Sequence, residues 1–208
     1  NFKLFKYPSK LADSINIKKL PDVIGFSNFI WNSSLNLSFA KKLRKHKKNI
    51  IIIFGGLEYP EDDENKKTFL KSQKNLIDFY IYKEGETAFL NLLEALNQHN
   101  LQSNLIKQNM EIIGAHYVKP NGDVFLSSPA ERVRNLVDIP SPFTSGLLDE
   151  FFDENLMPVL TTNRGCPFTC TFCAEGNKYY SKVNKSNLER VKGELEYIAE
   201  KVTKSSSK

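Results

Sequence analysis

All three cysteines of this 208-residue chain lie within a stretch of eight residues, as Cys166, Cys170 and Cys173. An odd and tightly spaced set is a poor basis for a disulfide framework, and it indicates metal chemistry in a reducing compartment. Pro167 and the β-branched threonines between the cysteines disfavour a continuous helix. We therefore expect a loop that wraps around a compact metal cluster.

The spacing of the cysteines, Cys-x3-Cys-x2-Cys, suits an iron–sulfur cubane with one open corner. A [4Fe-4S] cluster usually takes four thiolate ligands, so three thiolates would leave one iron without a protein ligand. In catalytic metal sites the open position is where chemistry takes place. Gly165 permits a sharp turn out of a strand that we predict over 157–163, directly before the first cysteine.

Two other interpretations of the cysteines are open at this point. A zinc site would need a fourth ligand, and the three histidines, His46, His99 and His116, are all remote in sequence. A buried structural set is also consistent with the spacing, because positions i, i+4 and i+7 would share one face of a helix.

Strands and helices alternate in the first half of the chain. Short apolar runs predict buried strands at 22–27, 49–54 and 77–82. Amphipathic stretches at about 34–45 and 86–97 predict helices. Their apolar stripes consist of Leu35, Phe39 and Leu43, and of Phe89, Leu92, Leu93 and Leu96. The alternation predicts an α/β fold with a parallel sheet, whose ligands sit beyond the carboxyl ends of the strands.

The pattern changes in the second half of the chain. Apolar runs at 112–118 and 124–126 flank an Asn-Gly pair, which is a strong hairpin signal. A connector with several prolines follows over 127–150.

The last predicted helix begins with a capping box, in which Ser186 caps and Glu189 stands three residues on. Its apolar face is made of Leu188, Val191, Leu195, Ile198 and Val202. That face must be buried, yet one strand and one helix cannot form a domain. We therefore expect that the sequence is cut short and that most of a second domain is absent from it.

The composition bears on the partners of the chain. It carries 29 basic and 24 acidic residues, and its densest basic cluster, at 41–48, is typical of a solvated surface. A nucleic-acid-binding protein would normally show a stronger basic excess and a recognisable motif. No apolar run approaches the ~20 residues of a membrane span, and the N-terminus lacks the layout of a signal peptide. We expect a cytoplasmic protein that binds neither nucleic acid nor membrane.

The segment around the cysteines resembles the radical S-adenosylmethionine (SAM) superfamily, in the run Thr161–Pro167, the two later cysteines and the aromatic Phe172. The resemblance implies a [4Fe-4S] cluster on Cys166, Cys170 and Cys173, whose open iron binds SAM. A reduced cluster would cleave SAM to methionine and a 5′-deoxyadenosyl radical, which abstracts hydrogen from an unactivated C–H bond. An electron donor such as flavodoxin or ferredoxin is therefore implied. Phe172 would lie against the adenine.

The whole chain further resembles one group of that superfamily, the cobalamin-binding-domain radical SAM proteins. Four segments carry this resemblance by their order along the chain, namely Pro21–Ser27, Phe54–Glu58, Glu84–Phe89 and Ile139–Pro142. Each segment is a weak signal alone, and their order before the cysteine loop is more specific.

This resemblance implies three segments. A Rossmann-like (flavodoxin-like) cobalamin-binding domain would occupy residues 1–105, and a linker with the β-hairpin would occupy residues 106–154. Residues 155–208 would form the first βα unit of a truncated radical SAM (TIM-like) barrel. The fragment alone should be inactive, because the family's SAM-binding glycine-rich segments would lie beyond it.

The resemblance places the cobalamin tail beside Ser27, Gly55 and Gly56, with Trp31 and Gly85 as further contacts and the ring facing the cysteine loop. Glycines let a backbone and a ligand approach closely, and a tryptophan offers apolar area. A helix-covered sheet without a ligand is also consistent with these residues, because Gly-Gly after a strand is often only a turn. The chain lacks an Asp-x-His-x-x-Gly motif, so we expect no protein histidine on cobalt.

The resemblance favours a cobalamin-dependent methyltransferase that acts on an unactivated carbon of a small-molecule substrate. Two alternatives stay open: a radical SAM enzyme without cobalamin, whose N-terminal domain recognises substrate, and a non-catalytic metal-binding module. A superfamily member that has lost its activity would also carry these residues.

Overall fold

The structure is a computed structural model that describes residues 2–15, 20–153 and 155–205. The chain forms two compact units, Asn1–Arg132 and Val133–Lys208. The first contains a five-stranded sheet and the second a two-stranded sheet.

The first unit is a mixed sheet covered by helices. Its strands are β1 (Val23–Ser27), β2 (Ile51–Gly55), β3 (Phe79–Ile81), β4 (Ala115–Val118) and β5 (Val124–Phe125), in that order across the sheet. Its helices are α1 (Pro8–Ile15), α2 (Ser33–His46), α3 (Asp63–Gln73), α4 (Glu86–Gln98) and α5 (Ser103–Asn109). Strands β1 to β3 are parallel, whereas β4 and β5 each run antiparallel to the strand before. The predicted α/β fold is confirmed for this unit.

Strand β2 supplies side chains to two hydrophobic cores, one on each face of the sheet. Ile51 and Ile53 belong to the core that α4 and α5 cover, and Ile52 and Phe54 to the core that α1, α2 and α3 cover. Alternate residues of a strand face opposite sides, so a strand buried on both faces has a continuous apolar sequence. This burial explains why the apolar run at 49–54 predicted a strand.

The three parallel strands end in register. Ser27 of β1 pairs with Gly55 of β2, and Gly55 pairs with Ile81 of β3. The loops that follow these strands therefore begin at one edge of the sheet, which we call the carboxyl edge.

Helices α2 and α4 confirm the sequence prediction, but the predicted stripe of α2 is wrong at its first position. Leu35 is 42% exposed, whereas Asn36, Ala40 and Leu43 are buried. Helix α3 was not predicted, because its sequence is mostly charged and polar and shows no apolar period. None of the helices in the described ranges is long and apolar enough to cross a membrane.

The predicted hairpin is confirmed, and the structure shows in addition where it lies in the fold. Strand β4 pairs with β3 through Tyr80 and His116, so the hairpin extends the five-stranded sheet. The first unit consequently runs to Arg132, whereas the sequence analysis ended the cobalamin-binding domain at residue 105 and began a linker at 106.

The second unit contains little regular structure before its long helix. Its elements are the 3-10 turns Leu136–Asp138, Asp149–Phe151 and Lys178–Tyr180, strands β6 (Asn163–Arg164) and β7 (Asn184–Lys185), and helix α6 (Leu188–Ser205). The strand predicted over 157–163 is wrong over most of its length, since only its last residue belongs to β6. Met157 and Val159 are 86% and 77% exposed, and no strand in the described part of the chain pairs with them.

Helix α6 begins differently from the prediction. The backbone N–H of Arg190 donates to Oδ1 of Asn187 at 2.8 Å, so Asn187 and not Ser186 caps the helix. The predicted apolar face is largely exposed, with Leu188 at 83% and Leu195 at 52%. Glu194 is buried instead, because its carboxylate accepts from Nε of Arg190 at 3.0 Å.

Candidate functional site

Strand β1 delivers Ser27 to the carboxyl edge, where its side chain is exposed. The carbonyl of Ser27 accepts hydrogen bonds from Nδ2 of Asn32 at 2.9 Å and from Nδ2 of Asn36 at 3.0 Å. These bonds turn the chain from β1 into α2. Ser27 therefore presents its hydroxyl at the edge where the sequence predicted a cobalamin contact.

Asn28 joins the loop after β1 to the loop after β2. Its backbone N–H donates to the Gly55 carbonyl at 2.6 Å, and its Nδ2 donates to the Glu58 carbonyl at 3.0 Å. Its own carbonyl accepts from the Glu58 N–H at 3.2 Å, and its Oδ1 accepts from Asn36 at 3.2 Å. Asn28 is only 2% exposed, so its polar groups serve this junction and not the solvent.

Of the two glycines at the end of β2, Gly56 is required by the fold itself. Gly56 has a φ of +134°, and a Cβ added to it would lie 2.3 Å from the carbonyl oxygen of Asn28. A Cβ on Gly55 would lie 3.4 Å from Cβ of Ile81, which is at the limit of ordinary contact. The close approach that Gly56 permits in this structure is thus to the backbone of Asn28.

A buried tyrosine supports the loop after β2. The hydroxyl of Tyr80 donates to the carbonyls of Gly56 and Glu58, both at 3.1 Å. Tyr80 is fully buried, and this burial raises the pKa of its phenol, so the hydroxyl stays protonated as a donor.

Tyr59, in the same loop, is anchored to a buried histidine. Its ring stacks on Tyr80 with centroids 3.8 Å apart, and its hydroxyl lies 3.0 Å from Nδ1 of His116. Nε2 of His116 lies 3.0 Å from the Ser127 carbonyl, which can only accept. Nε2 therefore carries the proton and Nδ1 accepts from Tyr59. Burial lowers the pKa of His116 to about 4, so this tautomer is neutral at neutral pH.

Exposed apolar groups surround the carboxyl edge. Trp31 is 77% exposed and stacks on Phe29 with ring centroids 4.8 Å apart. Ile30 next to it is 78% exposed, and Leu57 in the loop after β2 is 51% exposed. Exposed apolar patches are typical of ligand-binding and interaction sites, so the structure places Trp31 where an apolar ligand could reach it.

Gly85 is the N-cap residue of α4. Its carbonyl accepts from the N–H of Phe89 at 2.7 Å, which makes it the residue before the first helical turn. A Cβ there would lie 3.5 Å from Cγ2 of Ile81, which is an ordinary contact. Space alone therefore does not demand a glycine at this position.

The three cysteines lie in a non-helical loop, as predicted. Cys166 is partly exposed, Cys170 and Cys173 are exposed, and all three are free. The interpretation of a buried helical set is therefore wrong. Phe172 is 92% exposed, which leaves its ring open to a ligand. Gly165, directly before the loop, has a φ of +102°, which confirms the predicted turn.

The cysteine loop is held by contacts that the sequence analysis missed. The N–H of Cys166 donates to the Tyr180 carbonyl at 2.9 Å, which closes the loop, and the N–H of Cys173 donates to the Cys170 carbonyl at 3.2 Å. A Cβ on Gly176 would lie 2.2 Å from the carbonyl oxygen of Cys170. Gly176 is thus packed directly against the backbone of the second cysteine. The only sign of this contact in the sequence was a glycine three residues after the last cysteine.

The donor set fits an iron–sulfur cluster by its chemistry, because three free thiols in one exposed loop would leave one iron open. Within the described residues, no three His, Cys, Asp or Glu side chains are grouped closely enough to hold a metal ion. The loop therefore carries the ligands without yet bringing them to bonding distance. The histidines that a zinc site could use each bond to a carbonyl of the first unit, namely those of Lys42, Ala95 and Ser127.

Comparison with known proteins identifies the class. No family model matches the chain. The chain is similar to the curated relative TokK and to the solved structure of OxsB, which are both cobalamin-dependent radical SAM enzymes by name, and this confirms the resemblance given by the sequence motifs. The chain spans about a quarter of the length of these proteins.

Two curated relatives and one solved structure illustrate the similarity. The cobalamin-dependent radical SAM methyltransferase TokK of Streptomyces tokunonensis is 27% identical over 186 residues, which cover 86% of this chain and 26% of TokK. The 2-(S-pantetheinyl)-carbapenam-3-carboxylate methyltransferase of Streptantibioticus cattleyicolor is 27% identical over 187 residues, with the same coverage. The structure of OxsB with aqua-cobalamin and SAM bound matches 95% of this chain and 25% of OxsB, with a TM-score of 0.63 and 22% identity. The last comparison shows a shared fold.

Proposed function

We propose that this chain contributes the cobalamin-binding domain and the cluster-binding loop of a radical SAM enzyme that methylates an unactivated carbon of a small-molecule substrate. One observation carries the proposal: three free thiols share an exposed, non-helical loop in a chain whose fold resembles that of a cobalamin-dependent radical SAM enzyme. Two of the relatives are methyltransferases by name, which favours methyl transfer.

In this proposal, Cys166, Cys170 and Cys173 hold a [4Fe-4S] cluster as thiolates. When bound, the cluster and cobalamin supply the reductive cleavage of SAM and the transfer of a methyl group. The exposed ring of Phe172 covers the adenine of SAM. The exposure of Cys170 and Cys173 leaves the loop open to an electron donor such as flavodoxin or ferredoxin. A cytoplasmic location would keep the free thiols reduced.

The carboxyl edge of the first unit would hold cobalamin. Ser27 offers a hydroxyl and Trp31 an exposed apolar surface. Gly55 ends β2, Gly56 gives the loop after β2 its shape, and Gly85 precedes the helix that follows β3. We propose no histidine ligand to cobalt.

A radical SAM enzyme without cobalamin is the second candidate. It is favoured by the observation that Gly56, with its positive φ, packs against the backbone of Asn28. Gly56 therefore has a role in the fold that needs no ligand.

Anaerobic purification of the full chain, followed by iron and sulfide analysis, tests the cluster. We expect about four irons per chain, and almost complete loss of iron in each of the variants Cys166→Ala, Cys170→Ala and Cys173→Ala. Thr169→Ala, in the same loop, is the matched control and should keep the iron. Bound zinc in place of iron, or full iron loading in any cysteine variant, would contradict the proposal.

A further inference from the structure

We call the loop after β2, residues 56–61, the β2 loop. Buried polar groups hydrogen-bond to it from the protein interior. We propose that Tyr80 is a positioning residue for corrinoid binding, because its hydroxyl holds the β2 loop in the conformation that receives cobalamin. This inference rests on the proposed function, since it requires a corrinoid at the carboxyl edge.

The hydroxyl of Tyr80 binds the loop at two points. It lies 3.1 Å from the carbonyls of both Gly56 and Glu58, so both carbonyls turn toward the protein interior. Leu57 lies between them and is 51% exposed. The contacts of these two carbonyls with the Tyr80 hydroxyl therefore fix the position of Leu57 on the solvent side of the loop.

The loop has little freedom to adopt another shape once these bonds are made. The positive φ of Gly56 brings it against the backbone of Asn28, whose Nδ2 also donates to the Glu58 carbonyl at 3.0 Å. Two independent donors, Asn28 and Tyr80, thus hold the same carbonyl.

The position of the Tyr80 hydroxyl is itself set by packing. The ring is fully buried, stacks on Tyr59 at 3.8 Å with an interplanar angle of 14°, and meets the edge of Phe69 at 6.0 Å. A ring enclosed on several sides cannot move its hydroxyl away from the loop. Removing the oxygen therefore changes the restraint on the loop and leaves the core in place.

Tyr117 offers a matched control. It is 1% exposed, and its hydroxyl also donates to a backbone carbonyl, that of Met110. It belongs to the core on the opposite face of the sheet from Tyr80. Tyr80→Phe and Tyr117→Phe each remove one buried hydroxyl, but the first alone touches the β2 loop.

The experiment titrates the full chain with hydroxocobalamin and follows the absorbance spectrum of the bound corrinoid. Loss of the three-centre hydrogen bond from the Tyr80 hydroxyl to the two carbonyls predicts a Kd about tenfold higher for Tyr80→Phe, whereas Tyr117→Phe should stay within about twofold of the wild type. Amide hydrogen exchange in the corrinoid-free protein supplies a second readout. The Glu58 N–H, which donates to Asn28, should exchange faster in Tyr80→Phe and not in Tyr117→Phe.

Melting curves of the two variants separate positioning from a loss of stability. A selective rise of the Kd in Tyr80→Phe at equal stability supports the inference, and equal effects of both substitutions, or none, overturn it. If Tyr80→Phe does not fold, Asn28→Asp tests the same restraint on the β2 loop. This substitution removes the donor to the Glu58 carbonyl and keeps the acceptor for Asn36. Unchanged corrinoid affinity would then overturn the inference. If the wild-type chain binds cluster iron but no corrinoid, cobalamin binding is refuted. This inference, which depends on cobalamin binding, is then refuted as well.

Discussion

At the scale of single residues, Asp78, directly before β3, is a largely buried carboxylate that pairs with two cations. Its Oδ2 lies 2.6 Å from Nη2 of Arg44 and its Oδ1 2.8 Å from Nζ of Lys107. Burial alone would raise the pKa of Asp78, but the charge and hydrogen bond of Lys107 and the N–H of Ile52 outweigh it and lower the pKa. The carboxylate thus joins α2, β2, β3 and α5 at the edge opposite the carboxyl edge.

Asp78→Ala should lower the free energy of unfolding by about 3 to 5 kcal/mol, because it leaves Lys107, only 9% exposed, without its partner. Asp22→Ala is the control. Asp22 is 67% exposed in its pair with Lys47, so its loss should cost about 1 kcal/mol or less. Urea unfolding measures both, and equal losses would contradict the account.

The pH dependence of Asp78 follows from the direction of its pKa shift. Because the folded-state pKa lies below the unfolded value of 3.8, the stabilisation is complete above the unfolded pKa and is lost as the pH falls through the folded one. Wild type and Asp78→Ala should therefore converge in stability in strong acid.

At the scale of elements, the predictions succeeded where burial leaves a pattern in the sequence. Strand β2 is buried on both faces and α4 on one, so an apolar run and a helical stripe predicted them. The strand expected over 157–163 failed because apolar residues alone do not supply a partner strand. The capping residue of α6 was misplaced by one position, since Ser186 and Asn187 are both good caps and the sequence does not rank them.

The cysteine loop shows an element whose shape depends on a residue outside the motif. Gly176→Ala would place a Cβ 2.2 Å from the Cys170 carbonyl, so the backbone of the second cysteine must shift. We expect iron loading to fall severalfold. Gly193→Ala, in α6 with nothing within 4 Å of the added Cβ, is the control, and alanine favours a helix over glycine by about 1 kcal/mol.

Iron and sulfide content after anaerobic reconstitution checks this prediction. Circular dichroism of both variants monitors the fold. Equal iron loading in Gly176→Ala and wild type would show that the loop does not need this glycine to place Cys170.

At the scale of the molecule, the sequence identified residues with a particular local role better than it identified the tertiary contacts those residues make. The non-helical shape of the cysteine loop and the turn at Gly165 were predicted, because a proline, β-branched residues and a glycine act on the local backbone. The packing of Gly56 against Asn28, and the support of the β2 loop by Tyr80, were missed, because they join residues 22 to 28 positions apart. Contacts of this kind exist only after the sheet has formed.

The central claim is that one chain binds both a corrinoid and an iron–sulfur cluster. The most direct measurement is the stoichiometry of iron, sulfide and cobalamin in the full chain, purified without oxygen and supplied with iron, sulfide and hydroxocobalamin. The account predicts about four irons, four sulfides and one corrinoid per chain. A cluster without corrinoid would contradict the cobalamin half of the claim, and the absence of any iron–sulfur chromophore would contradict the whole.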